Sequence, residues 1–133
     1  MSALCILFTA AEAQSSKYPQ LIIGKWVFES FRFPNFIDPK SERVRVMTTA
    51  FKGVTYTFTA DKKFTVTKAG SSKVLIRGTY RFIKNNHYIM VKYTGANTEE
   101  EVEIDYLTEE RLNMYVNENG GPVGYFVRVK TAK

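Results

Sequence analysis

The sequence predicts an all-β protein, an eight-stranded antiparallel up-and-down barrel, in a single domain. Three observations carry that prediction. Short runs alternate between apolar and polar residues, the period that puts successive side chains on opposite faces of a strand. Brief polar turns join each run to the next, so neighbouring strands pair as a meander, in a barrel or a sandwich. Finally, the 133 residues include ten Phe, eight Tyr and one Trp, side chains that suit pleated, half-buried surfaces. A chain of this length buries a working core without metals or disulfides as staples.

The elements follow in order. Leu21-Ile22-Ile23-Gly24-Lys25-Trp26 opens the domain after Pro19, and 26–33 (WVFESFRF) reads as the first strand. A Pro-bearing stretch over 33–39 breaks it. Over 40–53 two readings stay open: Arg43-Val44-Arg45-Val46-Met47 alternates like a strand, and a short helix over 41–51 also fits. From Val54 onward the pattern is plain. Residues 54–59 (VTYTFT) and 64–68 form a hairpin about Ala60-Asp61-Lys62-Lys63. A long strand over 73–83 carries Gly78, expected at a bend or bulge. Strands over 87–94, 99–107, 111–117 and 123–130 complete the eight, separated by Asn-, Gly- and Glu-containing turns.

Residues 1–13 stand apart from the domain, which is expected over 14–133. Ala3 to Ala10 (ALCILFTA) is a short apolar run followed by Ala11-Glu12-Ala13, a small-x-small cleavage pattern before Gln14. The run is too short to span a bilayer. No Lys or Arg precedes it, so it reads as a truncated signal peptide, with a docked N-terminal helix or strand as the alternative. Export to the periplasm or the medium is the expectation. The lone cysteine, Cys5, lies in that leader, so disulfides do not hold the fold, and bulky Leu4 argues against lipidation there. Net charge is +6, or +7 without Glu12. Scattered over many strands, it reads mostly as solvated surface, and export argues against a nucleic-acid partner.

Familiar catalytic patterns are missing. One histidine, His87, and no cysteine outside the leader leave no zinc site or Cys–His pair, and there is no G-x-S-x-G elbow, phosphate loop or dinucleotide fingerprint. Glu99, Glu101, Glu103 and Asp105 share one face of a strand. Flat strands hold carboxylates side by side without converging them on a cation, so a solvent face paired with Lys and Arg is the plainer account. No enzyme activity, metal or cofactor is expected.

Gly24-Lys25-Trp26, at the head of the first strand, resembles the G-x-W motif that opens the barrel of lipocalins. Tyr56 to Phe64 (YTFTADKKF), Gly78-Thr79-Tyr80 and Leu107 to Leu112 (LTEERL) are similar to bacterial secreted lipocalin-like domains, a calycin-type β-barrel family. The resemblance covers nearly all of residues 14–133. It implies that Trp26 seals the closed end of the barrel and that Arg128, near the chain end, packs across its ring. The plainer account of that pair is a core plug that touches no ligand.

With Trp26 inward, strand alternation puts Phe28, Ser30 and Arg32 on the same face. Tyr56, Phe58, Tyr80, Phe82, Tyr88, Met90, Tyr106 and Met114 are the matching candidates for a ligand-binding lining, with Phe64, Val66, Ile76, Val102, Ile104 and Leu112 beside them. Such a lining suits a small hydrophobic or amphipathic ligand with a polar or acidic head, Arg32 or Lys92 lying nearer the mouth. A barrel filled by its own side chains is the alternative. The segment 33–52 would then form a lid over the open end. A second function class is an envelope protein-protein interaction module whose outward Phe31, Phe33 and Phe36 form an apolar patch.

Overall fold

The computed structural model of the protein describes residues 15–71, 73–115 and 122–130; the expected leader and Cys5 lie outside them. A short helix α1 (Tyr18–Leu21) leads into β1 (Gly24–Arg32), and helix α2 (Glu42–Phe51) follows. Then come β2 (Val54–Phe58), β3 (Lys63–Lys68), β4 (Val74–Ile83), β5 (Tyr88–Tyr93), β6 (Glu100–Leu107), β7 (Arg111–Tyr115) and β8 (Val123–Arg128). Each strand pairs antiparallel with the next, and β8 returns to β1, closing the barrel. Closure removes the unpaired edges that an open sheet would leave.

Local chemistry makes the turns. Between β2 and β3 the Thr59 hydroxyl donates to the Asp61 carboxylate, and Lys62 takes a left-handed φ of 68° to reverse the chain. Three consecutive left-handed residues, Lys84, Asn85 and Asn86, turn β4 into β5. Asn tolerates that region better than most side chains because its short amide bonds to nearby backbone. Within 40–53 the chain is helical over Glu42–Phe51. Ser41 caps α2 by accepting from the Val44 amide at 3.4 Å, which leaves Val44, Met47 and Phe51 half-buried on one face.

One end of the barrel is sealed as a unit. Trp26 is wholly buried, its indole Nε1 donating to the Ile22 carbonyl at 2.8 Å. The Arg128 guanidinium lies 4.3 Å from the centre of the indole ring. Its Nη1 donates to the Ile23 carbonyl at 2.8 Å, while Nη2 and Nε donate to the carbonyls of Leu21 and Glu109. Strand β1, the segment after α1 and the β6–β7 turn are thereby tied to one side chain. Gly24 is required beneath it: φ is +136° there, and a Cβ would strike the guanidinium.

Three β-bulges decide which residues face inward. In β1 the pairing steps from Phe28↔Phe126 to Ser30↔Tyr125, leaving Glu29 as the extra residue. Beyond it Phe31, opposite Gly124, faces in, so Ser30 and Arg32 lie outside, contrary to the alternation expected from Trp26. In β6 the extra residue is Asp105, which turns Leu107 inward and leaves Tyr106 exposed. The third, at Leu75, marks the bend in β4. Gly78, expected at that bend, is instead a contact residue: a Cβ would collide with the Lys92 carbonyl and the Phe64 ring. In β5 the inward set is Ile89, Val91 and Tyr93, so Tyr88, Met90 and Lys92 point outward.

Arg128→Lys and Gly24→Ala should both loosen the sealed end. A lysine cannot stack a planar fork on the indole while reaching three carbonyls, and alanine is strained at +136°. Each substitution should cost about 1–3 kcal/mol in urea unfolding followed by Trp26 fluorescence. A loss below about 0.5 kcal/mol for both would mean that the seal is not a stabilising unit.

Candidate functional site

The opposite end is where the interior meets solvent. A cavity of about 60 Å³ lies between the middle of the barrel and its mouth, among Tyr56, Phe64, Val91, Tyr93, Glu100 and Met114. Tyr93 also borders a wider groove on the rim, about 450 Å³ and open to water, whose walls are Val74, Leu75, Ile76, Arg77 and Thr94. Helix α2 closes part of the mouth over β1: Phe51 packs on Phe28 and Phe31, with ring centres 5.5 and 4.9 Å apart. The fit is side chain against side chain, and most of the barrel is solid.

The residues expected to bind ligand divide into three groups. Tyr56, Phe58 and Met114 line the cavity. Phe28, Tyr80 and Phe82 face the interior but serve as packing. Phe28 lies beneath Phe51, and the Tyr80 hydroxyl donates to the Thr59 carbonyl at 2.8 Å near the sealed end. Ser30, Arg32, Tyr88, Met90 and Tyr106 are on the outer surface, the first two and the last because of the bulges. Arg32 pairs there with Asp105 at 3.7 Å, and Tyr88 lies 4.8 Å beneath the Lys84 ammonium. Neither cation expected near the mouth, Arg32 or Lys92, faces inside.

Sequence reasoning missed Ile89, Val91, Tyr93, Glu100 and Tyr115. Ile89-Met90-Val91 is apolar on both faces, so composition does not separate inside from outside. Lys92 was the available signal, since Tyr88 and Met90 share its parity and a lysine belongs in water. Glu100 falls outside the alternation of Glu99, Glu101, Glu103 and Asp105, which by itself sends it to the other face.

Those four carboxylates form a solvated outer face. Glu99 pairs with Arg81 at 3.2 Å, Glu101 with Lys84 at 2.8 Å, and Asp105 with Arg32. Among the described residues no group of His, Cys, Asp and Glu is placed to hold a metal ion. The His87 ring meets Tyr18 edge-on, 6.4 Å between centres. No helix among the described residues is long and apolar enough to cross a membrane. Nor do Phe31, Phe33 and Phe36 make an outward patch. Phe31 and Phe33 are half-buried with ring centres 5.5 Å apart, and only Phe36 stands exposed, at 83%.

Glu100 behaves differently from its neighbours on β6. Opposite buried Val91, it is exposed yet borders the cavity, and the Tyr93 hydroxyl donates to its Oε2 at 3.2 Å. Burial, reinforced by the Glu100 charge and by Tyr56, pushes Tyr93 up to about 12. Burial raises Tyr56 as well. The mouth thus offers two neutral phenols in an apolar wall and one exposed carboxylate at its edge.

No family model matches the sequence, and no curated protein does. Solved structures do match. An uncharacterized protein from Bacteroides eggerthii superposes with a TM-score of 0.57 at 15% identity, over 80% of this chain and 98% of that one. A lipocalin-like protein from Bacteroides uniformis gives 0.56 at 14%, over 82% and 99%. The fold is lipocalin-like. A DUF4847 family protein from Bacteroides vulgatus superposes as well, with a TM-score of 0.53 at 14% identity over 84% and 96%. Identities this low speak for architecture alone.

Two outcomes follow from this geometry. Tyr93 keeps its proton to about 12 in the folded state, against 10.0 ordinarily. Its contribution to stability is therefore whole below pH 10.0 and drains away as pH rises toward about 12. Tyr93→Phe should flatten that alkaline loss and remove one late-ionising phenol from the phenolate absorbance titration. Arg32→Ala, by contrast, breaks only an exposed pair and should change stability by less than about 0.5 kcal/mol.

Proposed function

We propose that the protein is an exported, non-enzymatic binder of a small amphipathic molecule, held at the mouth of the lipocalin-like barrel and not engulfed at its centre. The observation that carries this is the continuity at Tyr93, which walls both the inner cavity and the rim groove. Pockets that enclose a whole organic ligand usually run to roughly 300–1,000 Å³. A cavity of about 60 Å³ accepts only one end of such a molecule, so the remainder lies in the groove. Leu75 and Ile76, 54% and 41% exposed, supply apolar surface there that is otherwise left to water. Export rests on the apolar run and small-residue site of the first thirteen residues.

The rival reading, an envelope protein-protein interaction module, draws on the same small cavity: a filled barrel needs no ligand. Native mass spectrometry of the protein purified from its own cells separates the two. The binder should carry a reproducible extra mass that Ile76→Asp, a rim substitution outside the packed core, releases. A clean mass, together with no nuclear magnetic resonance shifts at Ile76 or Tyr93 on adding short-chain amphiphiles, would favour the interaction module.

A further inference from the structure

Resting on the reading of the mouth as a ligand site, we infer that the head group it takes is a small cation, an alkylammonium, and not the acid that the basic composition invites. Among the described residues that wall the cavity, Glu100 is the sole charged one. Its carboxylate meets the Tyr93 hydroxyl and, among the described residues, no cation. Glu99, Glu101 and Asp105 have each found an arginine or lysine outside the barrel. Glu100 and Glu103 are the carboxylates of β6 left without a counter-charge among the described residues, and of the two only Glu100 borders the cavity.

Three further features agree. The cavity lies beside β6, where Glu100 and Glu103 carry charge that no cation pairs among the described residues, and the nearest positive group on its borders, Arg77, lies out in the rim groove. Phe64 and Tyr93 meet edge to face, 5.9 Å between centres, and Tyr56 completes an aromatic wall. Ring faces attract ammonium groups, most strongly where water is displaced. The Tyr56 hydroxyl has no hydrogen-bond partner among the described residues and is free to accept from a protonated amine. Size agrees as well. At roughly 10–15 Å³ for each water-sized occupant, about 60 Å³ takes a head of about four to six heavy atoms, the scale of a methylated ammonium.

The test titrates the whole protein with four probes of one chain length: hexylammonium, hexyltrimethylammonium, hexanoate and hexanol. Binding is read by calorimetry and by amide shifts at Tyr93 and Ile76. Either ammonium should bind at least about fivefold tighter than hexanol, and hexanoate more weakly than both. Glu100→Gln should erase that advantage and leave hexanol binding unchanged. Glu101→Gln, which removes an equal charge from the outer face, should alter affinity by less than about twofold. Hexanoate binding tightest, or Glu101→Gln matching Glu100→Gln, would overturn the cation assignment while leaving a ligand site in place. Failure of all four, hexanol included, would overturn the mouth reading together with it. Unchanged melting of the Gln variants shows that affinity, not folding, is being read.

Discussion

Pairing of β8 with β1 is the constraint from which the rest of this protein follows. An antiparallel meander can remain an open sheet, but here the last strand returns to the first and Arg128 arrives opposite Trp26. That register puts a guanidinium over an indole at the point where the chain must also be stopped from fraying. Four hydrogen bonds converge there: three from Arg128 to backbone carbonyls and one from the Trp26 indole. Each satisfies a carbonyl that α1, the approach to β1 or the β6–β7 turn would otherwise leave to water. Because the seal occupies one end completely, any exchange with solvent falls to the other.

Closure also limits volume. Eight strands make an interior only about as wide as its side chains, and the rings of Trp26, Phe28, Phe58, Phe64, Tyr80 and Phe126 take most of it. The bulges adjust this packing one residue at a time. At Glu29 a single extra residue brings Phe31 in and turns Arg32 out, so the mouth is lined by rings in place of a cation. At Asp105 the same device exchanges Tyr106 for Leu107. A bulge changes the parity of everything after it, so it alters the chemistry of a lining without altering the strand's composition.

At the mouth, burial and charge act on the same few groups. Tyr93 is neutral because apolar neighbours disfavour its phenolate and Glu100 stands beside it. Glu100 stands exposed at the boundary, where water solvates a carboxylate that has no cation beside it. On the outer face of the same stretch Glu99 and Glu101 are matched by Arg81 and Lys84 from β4 and the turn after it. One strand thus carries two electrostatic roles, divided by the alternation of its side chains.

Strand count, strand order and the turns were legible in the sequence because they depend on local signals, alternation and turn residues, while the Trp26–Arg128 pairing was implied by the lipocalin resemblance and is made by β8 returning to β1. The interior positions of β2, β3 and β7 were legible too, since their alternating runs are unbroken. What stayed open or failed depended on distant neighbours. Of the strand and the helix left open over 40–53, the helix over Glu42–Phe51 is the one that brings Phe51 onto Phe28 and Phe31, contacts invisible to the local pattern. Ser30, Arg32 and Tyr106 were misplaced because bulges answer to the partner strand, and a sequence does not show its partner's register. The sequence by itself determined an eight-stranded meander, because each strand and turn is encoded within a few residues. Only the tertiary structure decided what lines the barrel, since facing inward or outward depends on hydrogen-bond register between strands.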